Sequence, residues 1–105
     1  MFSLETLAAT VDARASAEGR ASYTRSLLDK GAAHCARKFG EEAVEAVVAG
    51  CSEDDAALAG EAADVLYHLL VLLKARGVPL AEVMAVLEAR TGQGGLAEKA
   101  ARARP

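Results

Sequence analysis

KFGEEAVEAVVAGCSEDDAALAGEAADVLYHLLVLL, residues 38–73, decides the fold. Its apolar residues recur at helical spacing rather than in alternation. On a wheel of about 100° per residue, Phe39, Ala43, Ala46 and Val47 gather to one side of Cys35, and Val44 and Val48 lie opposite. Lys38, Glu41, Glu42 and Glu45 fill the arc between them, so an acidic stripe is flanked by apolar residues on both sides. The second half repeats the pattern. Glu61, Asp64 and His68 share a narrow face, and Leu66, Leu69, Leu70, Leu72 and Leu73 cover nearly everything else.

The two segments read as long helices folded into an antiparallel hairpin around Gly50–Ser52. Counted from Cys51, Glu45 and Glu42 lie six and nine residues before it, and Glu61 and Asp64 ten and thirteen after it. At about 1.5 Å per residue, four carboxylates then fall within roughly 11 Å along the helix axes. Left uncompensated, such a cluster opposes folding or drives carboxyl pKa values up. Divalent cations are the usual remedy, and an all-oxygen set favours Mg²⁺ or Mn²⁺ over zinc or copper. A charge stripe on a helix is ordinarily a solvated face. Here, however, two facing helices each carry acids at i, i+3 spacing, Glu42-x-x-Glu45 and Glu61-x-x-Asp64, inside apolar surroundings. A di-iron bundle wants Glu-x-x-His motifs, whereas His68 stands at i+4 from Asp64.

Outward from this hairpin, Ser3 can cap a first helix with Leu4, Leu7, Ala8, Val11 and Ala15 on one face, ended by Gly19. Ser22 can cap a short helix that Gly31 closes. The third helix is expected from Ala32 to Ala49, stopped by Gly50. Ser52 is the expected cap of the fourth, with Glu53, Asp54 and Asp55 where the helix dipole favours negative charge. That helix runs to Arg76, with Gly77 beyond it. Pro79 fits a first helical position, and the last helix stops near Thr91–Gly92. The tail, residues 92–105, opens with glycines, turns basic, and reads as a flexible loop or weak helix.

Composition agrees. The 105 residues allow a single domain, 1–105. The chain holds 25 Ala, 13 Leu and 9 Val, no Ile and no Trp, and four aromatic residues. That mixture favours helices over strands, so the expectation is an all-α bundle of four to five helices. Alanine buries little area, so the core is thin and an oligomer is expected. A net charge of −3 lacks the basic footprint of a nucleic-acid binder. The longest charge-free run, about Val65–Leu73, falls short of the roughly 20 residues that span a bilayer, so no membrane partner is expected. Cys35 and Cys51 would lie about 24 Å apart on one helix and cannot pair. Two free thiols and no leader pattern suggest the cytoplasm.

Three stretches also carry a resemblance: SYTRSLLDKG (Ser22–Gly31), KFGEEAVEAVVA (Lys38–Ala49) and GEAADVLYHLLVLL (Gly60–Leu73). E-x-x-E followed by E-x-x-D resembles the metal motif of the all-α, MazG-like nucleoside triphosphate pyrophosphohydrolases. The Ser-Tyr-Thr segment and the Lys-x-Gly-Glu-Glu run narrow this to the phosphoribosyl-ATP pyrophosphohydrolase family of histidine biosynthesis. The ending Gly94–Ala100 is similar to that family's tails. The resemblance implies Mg²⁺-dependent hydrolysis of phosphoribosyl-ATP to phosphoribosyl-AMP and pyrophosphate, in a homodimer or higher homo-oligomer.

On that reading Glu42, Glu45, Glu61 and Asp64 are the expected metal ligands. Glu41 and Glu42 are candidate catalytic acids, with Glu41 an outer ligand, a base for water, or simply solvated. Lys38 is a candidate phosphate contact as charge develops, or an i, i+4 partner of Glu42. Ser22, Tyr23, Thr24 and Lys30 are candidate substrate contacts, with Arg37 a weaker one. His68 is a base, a partner of Asp64, or a core histidine. Arg90 reads as a helix-end cation. Phe39, larger than the family pattern expects, reads as core filler. Two alternatives stay open: a MazG-like enzyme that removes noncanonical (deoxy)nucleoside triphosphates, and a non-catalytic helical dimerisation module.

Overall fold

A computed structural model describes residues 1–16, 22–92 and 102. Five helices follow in order: α1 (Leu4–Ala15), α2 (Tyr23–Asp29), α3 (Ala32–Ser52), α4 (Asp55–Arg76) and α5 (Leu80–Thr91). No strand occurs among the described residues, so the all-α expectation holds. The expected end of the first helix at Gly19 and nearly all of the 92–105 tail lie outside the described residues.

The caps explain most boundaries. Ser3 accepts from the Thr6 amide, and Ser22 from the Arg25 amide. Gly31 holds φ +93° between α2 and α3, and Gly77 closes α4 at φ +69°. Both are left-handed conformations that a side chain would strain.

The α3–α4 turn departs from the sequence reading. Gly50 does not stop α3, which continues through Ser52. One mid-helix glycine costs only about 1 kcal/mol, and packing against α4 outweighs it. The Ser52 hydroxyl bonds back to the Val48 carbonyl at 2.9 Å rather than capping α4. The cap is Asp54, which accepts from the Ala57 amide at 2.9 Å. Pro79 likewise sits at the cap of α5, one position before the expected one.

Val11, Leu27, Cys35, Leu70 and Val71 form the core, where α1, α2 and the start of α3 meet the second half of α4. Phe39, expected as core filler, is only half-buried and lies outside that cluster. α5 buries no residue. Val44, Val47 and Val48 of α3 and Met84, Val86 and Leu87 of α5 are exposed.

α4 is the hub on which α1, α2 and α3 all pack. It is also the one helix among the described residues that is long and apolar enough to cross a membrane, with a hydropathy of 1.6. Length and composition alone carry that description, which the central helix of a bundle also meets, and Glu61 and Asp64 interrupt its apolar run.

Candidate active site

With the turn at Glu53–Asp54, the register of the hairpin slips from the expected one. Glu45 lies eight residues before Glu53, and Glu61 seven after Asp54. These two are level, and Glu42 is level with Asp64 rather than with Glu61. Carboxylate oxygens of Glu42, Glu45 and Glu61 all lie within 4.8 Å of one another. Asp64 is exposed and outside that trio, yet its charge is felt by both Glu42 and Glu61.

Crowding and burial set the electrostatics. A hydrogen bond shared with Glu45, then burial and the charges of Glu45 and Asp64, raises the Glu42 carboxyl above its ordinary value. Burial, then the charges of Glu45 and Asp64, raises Glu61 as well. Glu61 Oε2 is buried with no hydrogen-bond partner. An orphaned carboxylate oxygen facing two further carboxylates is a donor set that could hold a cation. Hard oxygen ligands of this kind fit Mg²⁺ or Mn²⁺.

His68 lies just beyond, 5% exposed, with Nε2 3.9 Å from Glu42 Oε1. Burial lowers its pKa, and nearby Lys38 adds to this while Asp64 and Glu41 oppose it. The imidazole is therefore held neutral. Lys38 Nζ reaches Glu41 at 3.3 Å, not Glu42, and this hydrogen bond raises its pKa. Glu41 is thereby on the rim, exposed and outside the ligand trio.

The Ser22–Thr24 triplet divides. Ser22 is occupied as the α2 cap and donates to the Arg14 carbonyl at 3.0 Å. Thr24 is 1% exposed and hydrogen-bonds Tyr67 at 2.6 Å. Tyr23 is exposed and stacks on Tyr67 beside His68. Lys30 is the exposed C-cap of α2, at the opposite end from Tyr23. Arg37 is exposed on α3, and Arg90 closes α5 as the sequence suggests. Tyr67 was not among the expected residues. Its signal was a hydroxyl in an aliphatic stretch, which needs a partner once buried. A cleft of about 540 Å³, with Asp64 as its one acidic lining residue, opens between Phe2, Leu4 and Leu7 of the N-terminal segment and Asp64, Leu66 and Tyr67 of α4.

An all-α bundle whose two longest helices oppose paired acids is the architecture of the MazG-like pyrophosphohydrolase class. The family model described as phosphoribosyl-ATP pyrophosphohydrolase matches residues 4–91. The chain is 62% identical to "Phosphoribosyl-ATP pyrophosphatase 1" of Bradyrhizobium diazoefficiens over 96% of this chain and 95% of that one. It is 61% identical to the protein of the same name from Rhodopseudomonas palustris, covering 98% and 96%. It is 64% identical to "Phosphoribosyl-ATP pyrophosphatase" of Cereibacter sphaeroides, covering 97% and 99%. The chain belongs to the phosphoribosyl-ATP pyrophosphohydrolase family.

Proposed function

We infer that this chain is a hydrolase of histidine biosynthesis that cleaves phosphoribosyl-ATP to phosphoribosyl-AMP and pyrophosphate, the second step of that pathway. The observation that carries the reading at the level of residues is the Glu42–Glu45–Glu61 trio, with oxygens within 4.8 Å and Glu61 Oε2 orphaned. Glu42, Glu45, Glu61 and Asp64 would hold Mg²⁺, with Mn²⁺ as a substitute. A bound divalent cation supplies charge neutralisation for the polyphosphate and acidifies water.

The chain's own residues do the rest. Lys38, on the rim beside the acids, binds a phosphate as negative charge develops on the leaving group. Glu41, outside the ligand trio and beside Lys38, takes the proton of the attacking water. Water adds across the α–β bridge; its hydroxyl goes to one phosphorus and its proton ends on the acidic solvent-facing groups or the released product. His68, buried beside Glu42, fills the space behind the acids without adding a competing positive charge. Tyr23 lies on the substrate side, Ser22 and Thr24 fix its position, and Lys30 is a more distant phosphate contact.

The exposed valines of α3 and the unburied α5 support a homodimer or higher homo-oligomer. Cys35 and Cys51 are free, in keeping with a reducing cytoplasm.

The test is pyrophosphate release from phosphoribosyl-ATP beside a panel of ordinary and deoxynucleoside triphosphates, with Mg²⁺ and with chelator. The reading expects rapid, chelator-sensitive release from phosphoribosyl-ATP. Release mainly from a deoxynucleotide, or from none, contradicts it.

A further inference from the structure

Tyr23 is 56% exposed, yet it is not a loose surface residue. Its ring lies nearly parallel to Tyr67, with centroids 6.4 Å apart and planes at 18°. It meets His68 edge-on at 6.3 Å. Tyr67 is itself fixed twice, by the 2.6 Å hydrogen bond to buried Thr24 and by an edge contact with His68 at 5.1 Å. A solvent-facing ring backed by a second, anchored ring is a platform. His68 links it to the acids, with Nε2 3.9 Å from Glu42. His68 is thus the common neighbour of the platform and the acid trio.

Resting on the reading of phosphoribosyl-ATP as substrate, we propose that Tyr23 is a specificity-determining residue that recognises the positive charge of the substrate's purine. Ribosylation at N1 uses the lone pair of that nitrogen, makes the exocyclic nitrogen basic, and leaves a delocalised cation at neutral pH. ATP and deoxynucleoside triphosphates carry neutral bases. The negative face of an aromatic ring attracts a cation beyond ordinary stacking. Lys38 is the charged side chain nearest this platform in its electrostatics, and Glu41 engages its ammonium at 3.3 Å. Ser22 and Thr24 cannot share this role, because the capping bond and the Tyr67 bond occupy their hydroxyls.

The experiment compares α,β-methylene-ATP with its N1-methyl derivative, a non-hydrolysable pair that differs in base charge. Dissociation constants are measured calorimetrically in Mg²⁺ for the wild-type chain, Tyr23→Phe and Tyr23→Leu. The wild-type chain binds the N1-methyl compound more tightly. Tyr23→Phe keeps that preference, and Tyr23→Leu reduces it about 3- to 30-fold. Raising the pH until the N1-methyl base loses its proton shrinks the wild-type preference. An unchanged preference in Tyr23→Leu, or equal weakening of both ligands, overturns the proposal. These constants do not depend on turnover, so a chain that fails to hydrolyse phosphoribosyl-ATP would refute the functional reading separately.

Discussion

Glu45→Gln removes one charge from a trio in which every pair of residues offers oxygens within 4.8 Å. At that distance one pair of like charges repels by about 0.9 kcal/mol at the dielectric constant of water, and several-fold more at an effective value near 20. Glu45 is exposed, so the lower figure governs the Glu42–Glu45 pair. Relief of that pair alone makes the metal-free variant about 1 kcal/mol more stable than the wild-type chain and raises its melting temperature by roughly 4–8 °C, and the lost Glu45–Glu61 repulsion adds to both. With metal the order reverses. Ligand at a hundredfold excess over its dissociation constant stabilises by about 2.7 kcal/mol. The wild-type chain gains roughly 10–20 °C from it, and the variant loses most of that gain with its ligand. The assay is thermal unfolding followed by circular dichroism in chelator and then in Mg²⁺, at one protein concentration. A variant that melts lower than the wild-type chain in chelator, or that keeps the full Mg²⁺ shift, refutes the reasoning.

Other perturbations follow from the same geometry. In the metal-free chain Glu42 and Glu61 have raised folded pKa values, so the folded state binds protons more readily than the unfolded state. Their contribution to stability is least favourable at neutral pH and improves as pH falls through the raised range to the ordinary value near 4.5; urea midpoints against pH, flattened in Glu42→Gln, check this. His68 works in the opposite sense: its lowered pKa makes its contribution fullest above pH 6.5 and lost as pH falls below that value. Mg²⁺ holds the acids ionised, so its stabilising effect shrinks with falling pH. Tyr67→Phe strands the buried Thr24 hydroxyl and costs about 1–3 kcal/mol, Thr24→Val strands the half-buried Tyr67 hydroxyl and costs less, and the double variant costs less than their sum; a denaturation double-mutant cycle reads the coupling. Leu27→Ala, at a position 2% exposed in the core, costs about 2–5 kcal/mol by the same denaturation measurement and leaves the acid site intact.

Helix periodicity and caps made the all-α fold readable from the residues alone, and with it the approach of Glu42, Glu45 and Glu61, whereas Asp64 stays exposed outside that trio. What the sequence hid was a competition between nearly equal local signals. Gly50 and Ser52 look like a stop and a cap, but Asp54 is an equally good cap two residues later, and packing of α3 on α4 chose it. That choice shifts the register and exchanges the partners, setting Glu45 against Glu61. The division of Ser22–Tyr23–Thr24 was hidden for a different reason. Three adjacent polar residues on one short helix point in different directions, and only the position of Tyr67 shows which hydroxyl is consumed. Phe39 misled because a wheel identifies an apolar face but not how deeply each residue on it is buried.

The central claim is that the facing acids hydrolyse phosphoribosyl-ATP with a divalent cation. It is tested most directly by pyrophosphate release from phosphoribosyl-ATP by the wild-type chain and by Glu61→Gln, in Mg²⁺ and after chelation, with helicity measured on the same samples. Chelation should silence the wild-type chain, and Glu61→Gln should be inactive in Mg²⁺ while remaining fully helical. Undiminished turnover by a folded Glu61→Gln, or turnover in chelator, would contradict the account.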